Sequence, residues 1–246
     1  MAEHIEKPAE PSQNEADRFA SAALIVRRLE SGEALESLGF SALEVITALG
    51  RIGLEGKDGL GPSLVQQPPT RPHLASALSE PALARLLTSS TRPARLALAA
   101  GLLQIYDFWD RSHQAAQEAD DLSELAFSAY WHGIAHRREP DAGNAAYWFR
   151  RVGRHPLFEP LGREAARIFE AHDLENLVAK IVARGSWDPM AMIDLCIGAL
   201  PGSQQELLAR RLQRLEMQLL LAATAGAIIP AMTPDGMAQG EATGAE

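Results

Sequence analysis

The chemistry-bearing residues of this chain gather around two histidines one helical turn apart. Residues 125–136, LAFSAYWHGIAH, hold no formally charged side chain. At 100° per residue, Phe127, Trp131 and Ile134 fall on one side, and Leu125, Ala129, His132 and His136 on the other. A helix with no charged stripe is expected to be covered on both sides, which places His132 and His136 inside. Buried imidazoles need hydrogen-bond partners or a metal. Upstream, Tyr106, Asp110, His113 and Gln117 recur at i, i+4, i+7 and i+11 and share one face, flanked by Asp107 and Gln114. Two consecutive helices joined by a short turn near Asp120 pack antiparallel. Asp110, His113, His132 and His136 are therefore expected to converge.

Three imidazoles and a carboxylate suit one divalent metal, zinc or iron, with an open position, and the expected ligands are His113, His132, His136 and Asp110. Position 133 is glycine, so the HExxH pattern of metalloproteases is not present. Two other readings stand beside the metal: histidines held in a structural hydrogen-bond network, and a metal-free acid–base pair in which His113 and Asp110 are catalytic.

Directly downstream, residues 136–156 (HRREPDAGNAAYWFRRVGRHP) carry Arg137, Arg138, Arg150, Arg151 and Arg154 against Glu139 and Asp141. A basic block on an acidic chain attracts a small anion, and arginine forks match carboxylate or phosphate. Arg137, Arg138, Asn144, Tyr147 and Arg151 are the expected substrate-binding residues. Asp141 reads as the N-cap of the next helix and competes for the N–H groups an anion would use. The alternative is that arginines and acids of adjacent helices pair and lock the hairpin.

The elements that must position these groups are helical. Alanine and leucine are abundant and β-branched residues sparse. Ser12 with Glu15, Ser41 with Glu44 and Ser203 with Glu206 have capping-box spacing. Asp188-Pro189 reads as an N-cap with a first-turn proline, and Gly50, Gly153 and Gly185 as helix ends. These signals predict an all-α bundle of about ten helices packed as antiparallel hairpins, near 13–30, 41–50, 80–88, 93–119, 121–138, 142–152, 160–171, 174–184, 189–199 and 203–222. No convincing β-hairpin is visible. The expected organisation is a disordered tail (1–11), an N-terminal helical segment (12–56) and a Pro-rich connection with a short helix (57–93). A main helical domain bearing the site (94–222) and a flexible tail (223–246) follow. Residues 57–93 either separate a helical pair from the main body or lie across one domain as a strap.

Twelve of the fourteen aromatic residues and five of the seven histidines lie between Tyr106 and Trp187, which marks that stretch as core. A net charge of -9 and a pI near 5.3 argue against nucleic acid and against anionic membrane as partners. The single cysteine, Cys196, excludes a disulfide framework within the chain and reads as an inert buried thiol. The N-terminus shows no signal-peptide pattern. The longest apolar run, Leu219 to Ile229, is far short of the roughly 20 residues a membrane span needs, so a cytoplasmic protein is expected. Leucines 208, 212, 215 and 219 form a heptad-like stripe that could seam a homodimer.

The block YWHGIAHRREPDAGNAAYWFRRVGRHP, with LLQIYDFWDRSHQAAQ before it, resembles the signature of an uncharacterised family of mostly helical proteins, over roughly residues 95–222. That resemblance implies one helical fold and no particular activity. Ala129-Tyr130, Asp141 and Ala145-Ala146-Tyr147-Trp148-Phe149 are similar to tetratricopeptide-like helical hairpins, with a faint echo of Asp141, Asn144 and Gly153 at Asp173, Asn176 and Gly185. Two functions are carried forward. One is a helical protein with a buried His/Asp site, a metal-dependent enzyme or a binder of a small anion. The other is a helical-hairpin interaction module with structural histidines.

Overall fold

The structure, a computed structural model, describes residues 13–56, 58–170, 181–183 and 185–229. The tail expected at 1–11, residues 230–246 of the one expected over 223–246, the Ser12–Glu15 box and most of the helix expected over 174–184 lie outside the described residues. Residues 223–226, expected in that tail, continue the last helix because Thr224 and Ala225 are buried in the core. Among the described residues there are ten α-helices and one minimal hairpin, so the fold is an all-α bundle. The helices are α1 (Gln13–Glu30), α2 (Ala42–Glu55), α3 (Glu80–Leu86), α4 (Arg92–Ile105), α5 (Trp109–Asp121), α6 (Ser128–Arg138), α7 (Ala142–Val152), α8 (Phe158–Glu170), α9 (Pro189–Gly198) and α10 (Gln204–Gly226). Strands β1 (Val182–Ala183) and β2 (Ser186–Trp187) pair antiparallel, Val182 opposite Trp187. Gly185, expected to end a helix, instead takes a left-handed conformation in the turn between them.

Several caps form as their residue types dictate. Ser41 and Glu44 close a full capping box. Ser203 accepts from the Glu206 amide, Asp188 from the amides of Met190 and Ala191, and Asp141 from that of Asn144. The helix expected over 93–119 is two helices. Asp107 is left-handed (φ 64°), the Asp107 N–H donates to the Gln104 carbonyl, and the Phe108 N–H donates to that of Leu103. That is a Schellman stop with aspartate where glycine usually stands. Ser123 (φ 66°) ends α5 the same way, with Ser123 and Glu124 amides on the Asp120 and Ala119 carbonyls. The next helix therefore starts at Ser128 rather than near 121. Gly50, expected as a helix end, lies inside α2, where a Cβ would come within 2.8 Å of Leu221 Cδ2; Gly56 ends that helix instead.

Helices α4, α5, α6 and α7 pack in succession, each on the next. One apolar core runs from Ile25 on α1 through Leu49, Leu98 and Trp131 to Leu221 on α10. A second core joins α8, β2, α9 and the Leu208–Leu212 face of α10. The leucine stripe of α10 thus packs within the chain: Leu208 and Leu212 are buried there, and Leu215 and Leu219 partly so. Residues 58–71 run across the bundle. The Gln66 N–H donates to the Arg138 carbonyl, and Gln213 Nε2 donates to the Pro62 and Ser63 carbonyls. Cys196 is buried, and burial pushes its thiol up to about 11, which leaves it inert. No described helix is long and apolar enough to cross a membrane.

Helices α4 and α6 approach closely at Gly101, where a Cβ would stand 2.6 Å from Trp131 Cε2. Trp131 is fully buried and its Nε1–H donates to Thr224 Oγ1 at 3.2 Å, so the ring has nowhere to go. Gly101→Ala gains about 1 kcal/mol of helix propensity and loses about 1–3 kcal/mol to overpacking. The expected result is a net loss of stability near 1 kcal/mol in urea unfolding; a gain would show that the two helices can separate freely.

Candidate metal centre

The α4–α5–α6 turns bring His113 of α5 and His132 and His136 of α6 together. One ligand-capable nitrogen from each ring lies within 4.8 Å of the others. The His113 ring stands edge-on to both partners, at centroid distances of 4.5 Å to His132 and 5.0 Å to His136. His132 and His136, four residues apart on one helix face, stack at 5.1 Å.

Carboxylates orient two of the rings. His132 Nδ1 lies 3.0 Å from Asp120 Oδ2, and both side chains are almost fully buried. His136 Nδ1 lies 2.8 Å from Glu139 Oε2, which is partly exposed. A carboxylate only accepts, so each Nδ1 carries a proton, and in a neutral ring the lone pair is then on Nε2. His132 Nε2 is buried and has no hydrogen-bond partner. Among the described residues, His113 makes no hydrogen bond either. Burial lowers the pKa values of His113 and His132, with the neighbouring imidazoles adding to the effect. Asp120 opposes the shift at His132 without reversing it. Both rings are therefore held in the neutral form that ligates metals.

Indoles wall the site. Trp109 stacks on His113 at 5.1 Å, and its Nε1–H donates to the Ala135 carbonyl, which ties the start of α5 to α6. Trp148 of α7 stacks on His132 at 3.8 Å. The Arg151 guanidinium lies 5.1 Å from the Trp148 ring centre and 5.9 Å from that of Tyr147, at the surface. Its hydrogen-bond contact is with the Tyr147 hydroxyl, at 3.5 Å, and it has no ion pair among the described residues.

The structure brings together three of the four expected metal ligands. Asp110 is exposed, nearly one turn before His113, and is not part of the cluster; it acts on His113 only as a nearby charge. Tyr106, expected on the same face, sits before the break and donates its hydroxyl to the Leu49 carbonyl.

Arg137 and Arg138, expected to hold a substrate, turn inward instead. Arg137 pairs with Glu216 of α10, both side chains 0% exposed, and the same carboxylate accepts from Tyr130. Arg138 pairs with Asp107 and donates to the carbonyls of Ser63 and Gln104 at 2.9 Å each. Both guanidinium groups are 0% exposed, so neither presents a surface to an anion from solvent. Asn144 and Tyr147 are exposed, with Asn144 Nδ2 donating to Asp141 at 2.7 Å. Arg151 is the one of the expected arginines that remains at the rim of the site.

Asp120, Glu139, Trp109 and Trp148 are site residues that the sequence reading assigned no role. Two carried a readable signal. Asp120 follows His113 by seven residues, the same helix face, and Glu139 follows His136 by three. The indoles carried none, because stacking across helices depends on packing. Set against known proteins, the chain matches no family model, no curated protein and no solved structure.

Proposed function

We propose that His113, His132 and His136 bind one divalent transition-metal ion, zinc or iron, and that the protein is a metal-dependent one handling a small anionic ligand at the remaining coordination position. One observation carries this reading: a fully buried imidazole nitrogen, His132 Nε2, has no protein partner and lies among two other imidazoles. A structural network would satisfy it, because buried polar atoms are nearly always paired. The carboxylate–histidine pairs support it further, since ligating histidines commonly donate their other N–H to a carboxylate. Such an ion would supply Lewis acidity and a bound water of lowered pKa. Arg151 is the cation at the rim that suits an anionic ligand.

The alternative, an interaction module with structural histidines, needs partners for His132 Nε2 and for His113 that the described residues do not provide. Elemental analysis of tag-free protein, purified without chelator and dialysed, separates the two. About one zinc or iron per chain is expected in the wild type and none in His132→Ala. Metal-free wild-type protein that neither takes up added zinc or iron nor melts higher with it would reject the proposal.

A further inference from the structure

A cavity of about 710 Å³ lies away from the histidines, between α1, α2, the 58–71 strap and the end of α4. Its volume is that of a small-molecule site. Val26, Ile52 and Ile105 give it an apolar floor. That floor exists because Gly53 lets α2 lie against the α4 end: a Cβ there would come within 2.9 Å of Ile105 and 2.8 Å of Tyr106.

Most charges around this floor are paired with one another or with Arg138, while Arg27 and Glu55, unpaired among the described residues, are exposed and half-buried respectively. Arg71 pairs with Glu30 at 2.8 Å, Arg210 grips both oxygens of Asp58 at 2.7 Å, and Asp107 is held by Arg138. Two charged lining residues remain, Arg27 of α1 and Glu55 of α2. Neither makes an ion pair or a side-chain hydrogen bond among the described residues, to each other or to anything else. Their signs are opposite and they sit on different helices. A simple anion entering would meet Glu30, Glu55, Asp58 and Asp107; a simple cation would meet Arg27, Arg71 and Arg210. A molecule carrying both charges satisfies both side chains.

We infer that this cavity binds a small zwitterion with an apolar tail, of the apolar α-amino-acid class, its carboxylate on Arg27, its ammonium on Glu55 and its tail on the Val26–Ile52–Ile105 floor. The recognition is the ordinary chemistry of charge-assisted hydrogen bonds flanking an apolar contact. It is independent of the metal centre.

Calorimetric titration of the full chain with L-leucine, L-methionine and L-phenylalanine tests it. Binding of at least one is expected, weakened about tenfold or more by Arg27→Gln and by Glu55→Gln. Both positions reach the surface, so circular dichroism should show both variants folded. 4-Methylpentanoate and isopentylamine, which keep leucine's tail with one charge each, should bind at least about tenfold more weakly than leucine. His132→Ala should bind the amino acid as the wild type does, which keeps this result separate from the metal reading. No binding by any of the three amino acids at about 10 mM would overturn the inference. So would equal affinity in either charge variant, or an equally tight single-charge analogue.

Discussion

Glu216→Ala is expected to lower the unfolding free energy by about 3–5 kcal/mol, the largest effect of any single change considered. The substitution removes the carboxylate that accepts from Arg137 Nη2 and from the Tyr130 hydroxyl, leaves Nη2 only a 3.4 Å contact to Gln213 Oε1, and leaves a guanidinium with no exposed surface to reach water. Burial pulls the Arg137 pKa down and the facing Glu216 carboxylate more than reverses that; arginine keeps its proton without the partner, so the variant holds an uncompensated buried cation. Arg137 Nε and Nη1 have no partner even in the wild type. The pair therefore carries uncompensated desolvation already, and exchanging both members for apolar residues should recover most of the loss. Arg137→Met with Glu216→Leu is expected within about 1–2 kcal/mol of wild type. Guanidinium unfolding of the three proteins reads both numbers. A loss below about 1 kcal/mol in Glu216→Ala would mean that water reaches Arg137.

The same pair shows where the sequence was legible and where it was not. Helix identity was readable because the signals are local: the Asp188-Pro189 start and the Ser41–Glu44 box lie within one turn of what they cap. The stops at Asp107 and Ser123 were not, since glycine is the usual left-handed residue and neither is glycine. At Asp107 the reason is tertiary. Its carboxylate is held by Arg138 and by the Gln67 N–H, so contacts distant in sequence offset a backbone conformation that sequence reading disfavours. The convergence of His113 with His132 and His136 was readable because periodicity and a short connection set which faces meet. The fate of the arginines was not. Composition shows that five sit in one block, but not that Glu216, 79 residues further on, is buried opposite the first of them. Charge density along a chain reports a ligand site only for the residues that remain at the surface, which here leaves Arg151 of the three expected.

Zinc in about thousand-fold excess over its dissociation constant is expected to stabilise the wild type by about 4 kcal/mol, because it binds the folded chain selectively. His132→Ala should abolish that increment. Asp120→Asn is the more informative change. Asparagine keeps one oxygen to accept from His132 Nδ1–H, and its NH2 can donate to Ser128 Oγ, whose hydroxyl also bonds the Glu124 carbonyl, so the metal-free fold should lose only about 1 kcal/mol. What it removes is the negative charge that fixes and polarises the ring, worth about 10–100-fold in metal affinity for such partners. At the same thousand-fold excess of zinc that is about 1.4–2.7 kcal/mol less stabilisation. Glu139→Gln should act in the same direction and less strongly, since the Glu139 side chain is 36% exposed against 4% for Asp120 and water screens it. A structural hydrogen-bond network makes a different forecast for the same proteins: Asp120→Asn and His132→Ala would lose stability equally with and without zinc. Unfolding curves of the four proteins, each with zinc and with chelator, decide the matter by the difference between paired curves. A zinc increment that survives His132→Ala unchanged would place the ion elsewhere and remove the histidine cluster from the argument.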